Sequence, residues 1–273
     1  MLKQRVITAV VMMIVVGAAL LFLSPGQFSG FVALVLLAGA WEWTRLLKMQ
    51  PVAQISSLVL FTALLGLMMS GYGPSMTILI GGSICWWSLA LVLVVSYPRG
   101  AALWQSTPVL LLAGILVLLP GMGALAAIRN LPGYIAYLLV FIALVAAADI
   151  GAYCAGRTFG KLKLAPLVSP NKTWEGFVGG LTSTVLVGTA ALGQLPRLHD
   201  IDPWRLMVAI LGCVALAVFS VVGDLFESML KRYCEAKDSS WLLPGHGGVL
   251  DRLDSITAAL PVYVLILHIL EIL

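Results

Sequence analysis

The sequence predicts an all-α, polytopic integral membrane protein with about nine transmembrane helices. Of its 273 residues, 61% are hydrophobic and 10% are charged, and the hydrophobic residues form long runs separated by short polar breaks. Soluble domains are about 45–50% apolar and about 25% charged. A chain this apolar cannot bury its hydrophobic surface in one water-facing core, so we expect lipid to surround it.

The apolar runs give the predicted spans in chain order. A helix needs about 20 apolar residues to cross a hydrocarbon core of about 30 Å. Runs of that kind predict spans at about 6–23, 28–44, 53–71, 76–96, 108–128, 134–155, 176–195, 204–227 and 255–272. The breaks between them, such as SPGQ, SGYGPS and NLPG, contain glycine and proline, which end helices.

The first apolar run is interpreted as a retained transmembrane helix rather than as a secretory signal peptide. It follows Lys3 and Arg5 and is about 18 residues long. The apolar part of a signal peptide has about 7–15 residues and is followed by an A-x-A cleavage site, and no such site follows this run.

The distribution of basic residues predicts which ends of the spans share a side of the membrane. With the N-terminus in the cytoplasm and alternating spans, 13 of the 16 Lys and Arg residues lie on the cytoplasmic side, as the positive-inside rule expects. Two polar loops, at about 156–175 and 231–254, then share that side. The chain divides into residues 1–132, with about five spans, and a predicted catalytic region at 133–273, which carries both loops.

Several function classes are disfavoured by composition. The net charge of +4 is small and dispersed, so nucleic acid is not an expected partner. The four cysteines form no C-x-x-C pair and the three histidines are far apart, so neither a disulfide framework nor a zinc site is expected.

The end of the sixth span carries the first polar motif. Asp149, Tyr153 and Arg157 are spaced four apart, so they share one helix face that leads to the loop at about 156–175. In that loop, SPNKTWEG supplies phosphate-binding and helix-capping groups. Its candidate residues are Ser169, Asn171, Lys172 and Thr173, with Glu175 as a candidate capping-box acid.

Acids inside or beside membrane spans are costly and mark function by default. Asp224 follows a nearly continuous apolar run beside Gly223, which suits a metal ligand that a substrate approaches closely. Glu227, Ser228 and Lys231 fall on the same helical stripe, where Glu227 and Lys231 are compatible with a local ion pair. Glu42, in AWEWTR, has three interpretations. It could pair with Arg45, lie at the membrane interface, or have a functional role.

The loop at 231–254 has the composition of a phosphate site. Three glycines surround His246, giving a backbone that can present N–H groups to anionic oxygens. Asp251 and Asp254, three residues apart, can project toward one hard cation. Together with the basic residues Lys231, Arg232, Lys237 and Arg252, these acids predict metal-assisted phosphoryl or nucleotidyl transfer. No Walker or G-x-G-x-x-G motif is present.

The stretch from Ser228 to Asp254 resembles the signature of phosphatidate cytidylyltransferases, also called CDP-diacylglycerol synthases. The matching positions are Ser228, Lys231, Arg232, Lys237, Asp238, Ser240, Leu243, Pro244, His246, Gly247, Gly248, Asp251, Arg252 and Asp254. The upstream D-x-x-A-Y-x-x-G-R and S-P-x-K-[ST]-x-E-G segments resemble the family's other polar block. The first five spans are similar to the family only in character.

This resemblance implies that CTP and phosphatidate react to give CDP-diacylglycerol and pyrophosphate for phospholipid biosynthesis. It also implies Mg²⁺, with a second cation left open, a homodimer, and a bacterial-type cytoplasmic (inner) membrane with the active site facing the cytoplasm. CTP, phosphatidate and membrane lipid are the expected partners.

Site roles are predicted on the same basis. Asp224, Asp251, Lys231 and His246 are the predicted catalytic residues, and Asp224, Asp251 and Asp254 the predicted metal ligands. The predicted substrate-binding residues are Asp149, Arg157, Ser169, Asn171, Lys172, Thr173, Glu175, Ser228, Arg232, Lys237, Asp238, Gly247, Gly248 and Arg252.

Two other functions remain open at this point. A transporter of anionic substrates would explain the many spans, but it predicts polar residues at the midplane and repeat symmetry, and neither is visible. A CTP-dependent lipid kinase would use a similar site but transfer the γ-phosphate. A purely structural membrane protein leaves the H-G-G-x-x-D-R-x-D pattern unexplained.

Overall fold

The computed structural model describes residues 2–101, 104–195 and 202–273. These residues contain nine α-helices, a two-stranded hairpin and one short 3₁₀ turn. The helices are α1 (Leu2–Phe22), α2 (Pro25–Leu46), α3 (Pro51–Met69), α4 (Met76–Ser96), α5 (Thr107–Arg129), α6 (Tyr134–Phe159), α7 (Trp174–Ala191), α8 (Pro203–Tyr233) and α9 (Leu250–Ile269). Within the described residues, eight of them are long and apolar enough to cross a membrane. The prediction of an all-α polytopic membrane protein is confirmed.

Helix α2 is not among those eight, although its path matches a membrane-crossing helix. It has 22 residues and carries Glu42 and Arg45, which lower its hydropathy. The residue before its N-cap, Leu23, accepts a hydrogen bond from Arg129 at the end of α5 (2.7 Å). Near its other end, Glu42 contacts Ser239, which follows α8. Because α5 and α8 end at opposite faces of the bundle, α2 runs from one face to the other.

One face of the bundle collects the polar segments. Thr8, near the start of α1, donates to the Pro244 carbonyl (2.8 Å), and Trp104, before α5, lies edge-on to Tyr233 at the end of α8 (ring centroids 5.1 Å apart). Both predicted polar loops therefore lie at this end, which we call the polar end of the bundle. The opposite end includes Arg129 and Leu23.

The loop after α6 contains a β-hairpin that the sequence reading did not predict. Strands β1 (Lys163–Ala165) and β2 (Ser169–Thr173) pair antiparallel, with Lys163 opposite Thr173 and Ala165 opposite Ser169. Strands of three and five residues are too short for a period-two pattern to be recognised.

Two helices are longer at the polar end than predicted. Helix α6 continues to Phe159 and α8 to Tyr233, beyond the expected ends near residues 155 and 227. Arg157 and Lys231 are therefore helical, as their spacing along one helix face predicts, and Arg232 is helical as well. Polar side chains end the apolar run but do not end a helix, so hydropathy placed these boundaries too early.

Glycine residues let α8 and α9 pack closely beside the acidic residues. A Cβ on Gly223 would collide with the backbone carbonyl of Asp254, and a Cβ on Gly212 would lie 2.6 Å from the Ile266 side chain. Small residues at helix contacts are the usual means of close packing in membranes. The contact at Gly223 brings Asp224 of α8 next to the first turns of α9.

An aromatic cluster fixes the position of α8 against the N-terminal helices. Phe226 lies 6.4 Å from Trp43 of α2 and 5.5 and 5.9 Å from Trp86 and Trp87 of α4, measured between ring centroids. All four side chains are buried. Aromatic pairs at these separations contribute about 0.5–1.5 kcal/mol each beyond their burial, so this cluster joins the two regions of the chain.

Cysteine labelling tests whether α2 crosses the membrane. Gln50 and Lys237 are exposed at the polar end and Asn130 is exposed at the other end. In a cysteine-free background, we expect Gln50→Cys and Lys237→Cys to react with a membrane-impermeant maleimide from one side, and Asn130→Cys from the other. Labelling of Gln50→Cys together with Asn130→Cys would mean that α2 does not cross the membrane.

Candidate active site

A polar cleft opens at the polar end between α6, the hairpin and α8. Its volume is about 470 Å³, and it contains charged and polar side chains from all three elements. The predicted site residues that line it are Asp149, Arg157, Asn171, Lys172, Thr173 and Asp224. The cleft thus unites two motifs that lie more than 50 residues apart in the chain.

Charged groups within the cleft are already paired. Lys172 Nζ lies 2.5 Å from Asp224 Oδ2, and the Ser228 hydroxyl donates to Asp224 Oδ1 (3.3 Å). On α6, Arg157 donates to the Tyr153 hydroxyl (2.8 Å), as expected for residues on one helix face. Lys172 and Asp224 were predicted separately, as a phosphate-binding and a metal-binding residue, and the fold brings them together.

Three predicted residues in and just after the hairpin make local contacts. Thr173 is the N-cap of α7 and accepts a hydrogen bond from the Gly176 N–H (3.1 Å). Glu175 does not form the predicted capping box, because it precedes the third helical position. Its carboxylate instead accepts from the Leu162 N–H (3.2 Å). Ser169 is paired with Ala165 in the hairpin.

A second group of site residues forms a buried network behind the cleft. Lys231 Nζ lies 2.6 Å from Asp251 Oδ1 and 3.2 Å from Glu227 Oε1. The three side chains are only 14%, 7% and 6% exposed, for Lys231, Asp251 and Glu227 respectively. Removing one partner of a buried ion pair leaves an uncompensated charge, so the three groups depend on one another.

The Asp251 carboxylate is surrounded by donors from the protein. Besides Lys231 at Oδ1, its Oδ2 accepts from the Ser239 N–H (2.9 Å), the Ser239 hydroxyl (3.0 Å) and the Gly248 N–H (2.7 Å). Both oxygens are therefore occupied. In this structure Asp251 connects Lys231 to the glycine loop, and the metal-binding role predicted for it stays a prediction.

Asp254 is the third predicted metal ligand. Its carboxylate accepts one hydrogen bond from the Ser255 N–H (2.8 Å) and is in electrostatic contact with Asp224. Asp149 is likewise in electrostatic contact with Asp224. Within the described ranges no group of three or more His, Cys, Asp or Glu side chains has the geometry of a metal site. The Asp254 backbone packs against Gly223, the residue before Asp224, so both acids belong to the contact between α8 and α9.

The glycine loop before α9 has two residues in the left-handed conformation. Gly245 and Gly247 have φ of +78° and +83°, which favours glycine. The loop closes through a bridge between Leu243 and Gly247, and Arg252 donates to the His246 carbonyl (3.2 Å). His246 Nδ1 is buried with no hydrogen-bond partner among the described residues, and His246 lies outside the residues that line the cleft.

The remaining predicted residues lie at the surface of the polar end. Arg232 reaches the hairpin and donates to the Val168 carbonyl (3.4 Å). Lys237 and Asp238 are exposed on the segment between α8 and the glycine loop. Lys237 is thus accessible to an anionic ligand but lies outside the residues that line the cleft.

Glu42 is the main site residue whose role sequence reasoning missed. It is fully buried and accepts hydrogen bonds from residues of the segment 239–250 rather than pairing with Arg45. Arg45 instead lies over the rings of Trp41 and Trp241, 5.3 and 5.9 Å from their centroids. An acid in an apolar context marked Glu42 for attention, but partners about 200 residues away leave no local pattern.

An apolar groove joins the polar cleft. It has a volume of about 320 Å³ and lies between α4, the hairpin turn and α8. Leu164, Phe177 and Val221 line both the groove and the cleft. The two spaces are therefore neighbours with a shared wall, one polar and one hydrophobic.

Comparison with known proteins agrees with this arrangement. A family profile described as "Cytidylyltransferase family" matches residues 3–270. The chain belongs to the cytidylyltransferase family. It is 41% identical over 271 residues to a phosphatidate cytidylyltransferase of Pseudomonas aeruginosa, covering 98% of this chain and 97% of the relative. A phosphatidate cytidylyltransferase of Haemophilus influenzae is 39% identical over 281 residues, with 96% and 97% coverage.

A third relative matches a shorter part of this cytidylyltransferase. The phosphatidate cytidylyltransferase of Bacillus subtilis is 42% identical over 137 residues, which is 49% of this chain and 48% of the relative. The predicted resemblance and the prediction of a nucleotidyltransferase enzyme are thereby confirmed.

The buried network predicts that removing the charge of Lys231 strongly lowers the stability of the protein. We expect Lys231→Met to destabilise this cytidylyltransferase by about 3 kcal/mol, because it leaves Asp251 and Glu227 as unpaired buried acids. Thermal unfolding in detergent measures the loss. Lys237→Met, which removes an exposed lysine, is the matched control and should leave the melting temperature unchanged. Equal melting temperatures for the two variants would contradict the network.

Proposed function

We propose that this protein transfers the cytidylyl group of CTP to phosphatidate, forming CDP-diacylglycerol and pyrophosphate. The observation that carries the proposal is the polar cleft joined to an apolar groove. A reaction between a soluble nucleotide and a lipid needs both environments at one place. Family membership and the names of the full-length relatives support the same reaction.

Each substrate has a matching region. The triphosphate of CTP fits the cleft, where Arg157, Lys172 and Asn171 offer donors to phosphate oxygens. The acyl chains of phosphatidate fit the groove, with Leu164, Phe177 and Val221 at the boundary. The lipid phosphate then lies at the mouth of the cleft.

The chemistry requires positioning more than a strong base. A phosphate oxygen of phosphatidate attacks the α-phosphorus of CTP, a new P–O bond forms, and the bond to the β-phosphate oxygen breaks to release pyrophosphate. The attacking phosphate monoester is largely ionised at pH 7, since the second pKa of such groups is about 6. Orientation by the cleft residues and neutralisation of charge supply the acceleration.

Asp224 and Asp254 are the residues that we propose to hold Mg²⁺. The Asp254 backbone packs against Gly223, the residue before Asp224, and carboxylate oxygens are ligands that Mg²⁺ prefers. When bound, the ion neutralises charge on the triphosphate and on the leaving pyrophosphate. Lys172, now paired with Asp224, is placed to reach a phosphate oxygen instead. Asp251 acts through Lys231, and His246 orients the loop or a phosphate.

The polar end is proposed to face the cytoplasm. The segments there hold 13 of the 16 Lys and Arg residues, the bias that the positive-inside rule associates with the cytoplasmic side. CTP is a cytosolic nucleotide, so this orientation gives it access to the cleft. The bacterial relatives point to the cytoplasmic (inner) membrane of a bacterial cell.

An assay with labelled CTP tests both the proposed reaction and the proposed role of Asp224. We expect purified protein with Mg²⁺, phosphatidate and CTP labelled at the α-phosphate to produce a labelled lipid and pyrophosphate. Asp224→Asn should lower turnover by at least about 100-fold, because a neutral amide binds the cation and Lys172 poorly. Asp202→Asn, at the N-cap of α8 on the far end, is the matched control and should retain turnover.

Other outcomes of the same assay would contradict parts of the proposal. Label entering the lipid only from γ-labelled CTP would mean a lipid kinase. Full turnover after removal of divalent cations with EDTA, or in Asp224→Asn, would exclude the metal assignment while leaving the reaction intact.

The groove predicts a substrate-selective effect. Val218 of α8 lines the groove but not the cleft. We expect Val218→Trp to raise the KM for phosphatidate by about 10-fold, because the larger ring occupies space that an acyl chain needs. The KM for CTP should not change. Leu211→Trp, on the same helix and exposed toward lipid, is the control; an equal effect of both variants would contradict acyl-chain binding in the groove.

A further inference from the structure

We propose that Glu42 is a positioning residue for the reaction, holding the glycine loop and Asp251 so that Lys231 keeps its place beside the cleft. This inference rests on the proposed function. Glu42 belongs to α2, in the half of the chain for which the sequence offered no role. It is fully buried, and in the described chain it joins that half to the signature loop.

The Glu42 carboxylate is saturated by four donors from one short segment. Oε1 accepts from the Ser240 hydroxyl (2.5 Å) and the Val249 N–H (2.9 Å). Oε2 accepts from the Ser239 hydroxyl (3.0 Å) and the Leu250 N–H (2.8 Å). Each oxygen thus takes one hydroxyl and one backbone donor, an arrangement that spans both ends of the glycine loop.

Two of those donors are the free N–H groups at the start of α9. The N-cap of α9 is Val249, whose side chain cannot cap the helix. The first backbone N–H groups of a helix have no partner within it and carry partial positive charge. Glu42 supplies the missing acceptor and the favourable negative charge from another helix, so it fixes where α9 begins.

Ser239 connects Glu42 to the residues that hold Lys231. The Ser239 hydroxyl lies 3.0 Å from both Glu42 Oε2 and Asp251 Oδ2, so its single proton is shared between two carboxylates. Asp251 in turn holds Lys231 (2.6 Å), and Lys231 contacts Glu227, one turn of α8 from Asp224. The contacts form a path from α2 to Glu227 of α8, the helix that carries the cleft residue Asp224.

Both the size and the charge of Glu42 are constrained. A Cβ on Gly248 would lie 2.5 and 2.6 Å from the two Glu42 oxygens, which gives a physical reason for glycine at this position. Glutamine in place of Glu42 would turn an NH₂ group toward one backbone N–H and one hydroxyl. Because the site is buried, such a donor–donor contact cannot be relieved by water.

The test uses the full-length protein in detergent, with turnover and the KM for CTP measured for each variant. We expect Glu42→Gln to lower kcat by about 10- to 100-fold, the usual effect of losing a group that orients site residues. The KM for CTP should change less than about threefold, because the cleft residues are not altered. Hydrogen exchange should increase in peptides covering 236–252 and not in α3–α5.

Thr44→Val is the matched control. Thr44 is buried on the same helix and accepts from Gln54 of α3 (3.2 Å), away from the glycine loop. This variant removes two partly buried hydrogen bonds of α2, to Gln54 and to the Trp41 carbonyl, and should retain kcat. If Thr44→Val lost as much kcat as Glu42→Gln at a similar melting temperature, Glu42 would have only a general role in stability, and the inference would be wrong.

A double-mutant cycle tests the path itself. If Glu42 acts through Ser239, the losses in ln kcat for Glu42→Gln and Ser239→Ala should add to more than the loss in the double variant. Additive losses would overturn the path.

A second variant serves if Glu42→Gln does not fold. Ser240→Ala removes a single hydrogen bond to Glu42 and should still lower kcat and raise hydrogen exchange at 236–252. Unchanged kcat and exchange would overturn the proposal.

Failure of this inference is distinguishable from failure of the proposed function. If wild-type protein forms no labelled lipid, the function is wrong, and hydrogen exchange alone reports whether Glu42 holds the loop. If wild type is active and Glu42→Gln is equally active with unchanged exchange, the function stands and the positioning role is excluded.

Discussion

The site depends on one lysine buried between two acids. Lys231 lies within 3.2 Å of both Asp251 and Glu227, in a bundle that lipid surrounds. A charge in such a place is stable only when it is paired and hydrogen-bonded. That requirement explains why the segment after α8 folds back on the helix, and why backbone N–H groups of the glycine loop converge on Asp251.

Small residues make this convergence geometrically possible. Gly223 lets α9 approach α8 until the Asp254 backbone is in contact, and Gly248 leaves room for the Glu42 carboxylate. On the other side of the cleft, Gly151 and Gly179 bring α6 and α7 together. Close packing of this kind is the main source of helix association in lipid, where the hydrophobic effect between helices is weak. The same glycines therefore serve stability and position the charged groups.

The charged groups divide into two layers with different exposure. Lys172 and Asp224 line an open cleft and are about one quarter and one third exposed, so their pairing can exchange for a ligand. Glu42, Asp251 and Lys231 lie behind them and are held by hydrogen bonds and ion pairs within the protein. A rigid inner layer that holds an adaptable outer one is what catalysis of phosphate chemistry requires, because most of its acceleration comes from preorganised charge.

The sequence by itself determined the membrane fold, the helix order and the motifs of the site. Hydropathy, basic-residue bias and the spacing of Asp149, Tyr153 and Arg157 are local properties that a linear chain displays directly. Only the tertiary structure decided which groups meet: that Lys172 pairs with Asp224, that Asp251 is enclosed by donors, and that Glu42 caps α9. Hydrogen bonds between residues about 200 positions apart depend on how helices pack, and neither periodicity nor composition records that packing.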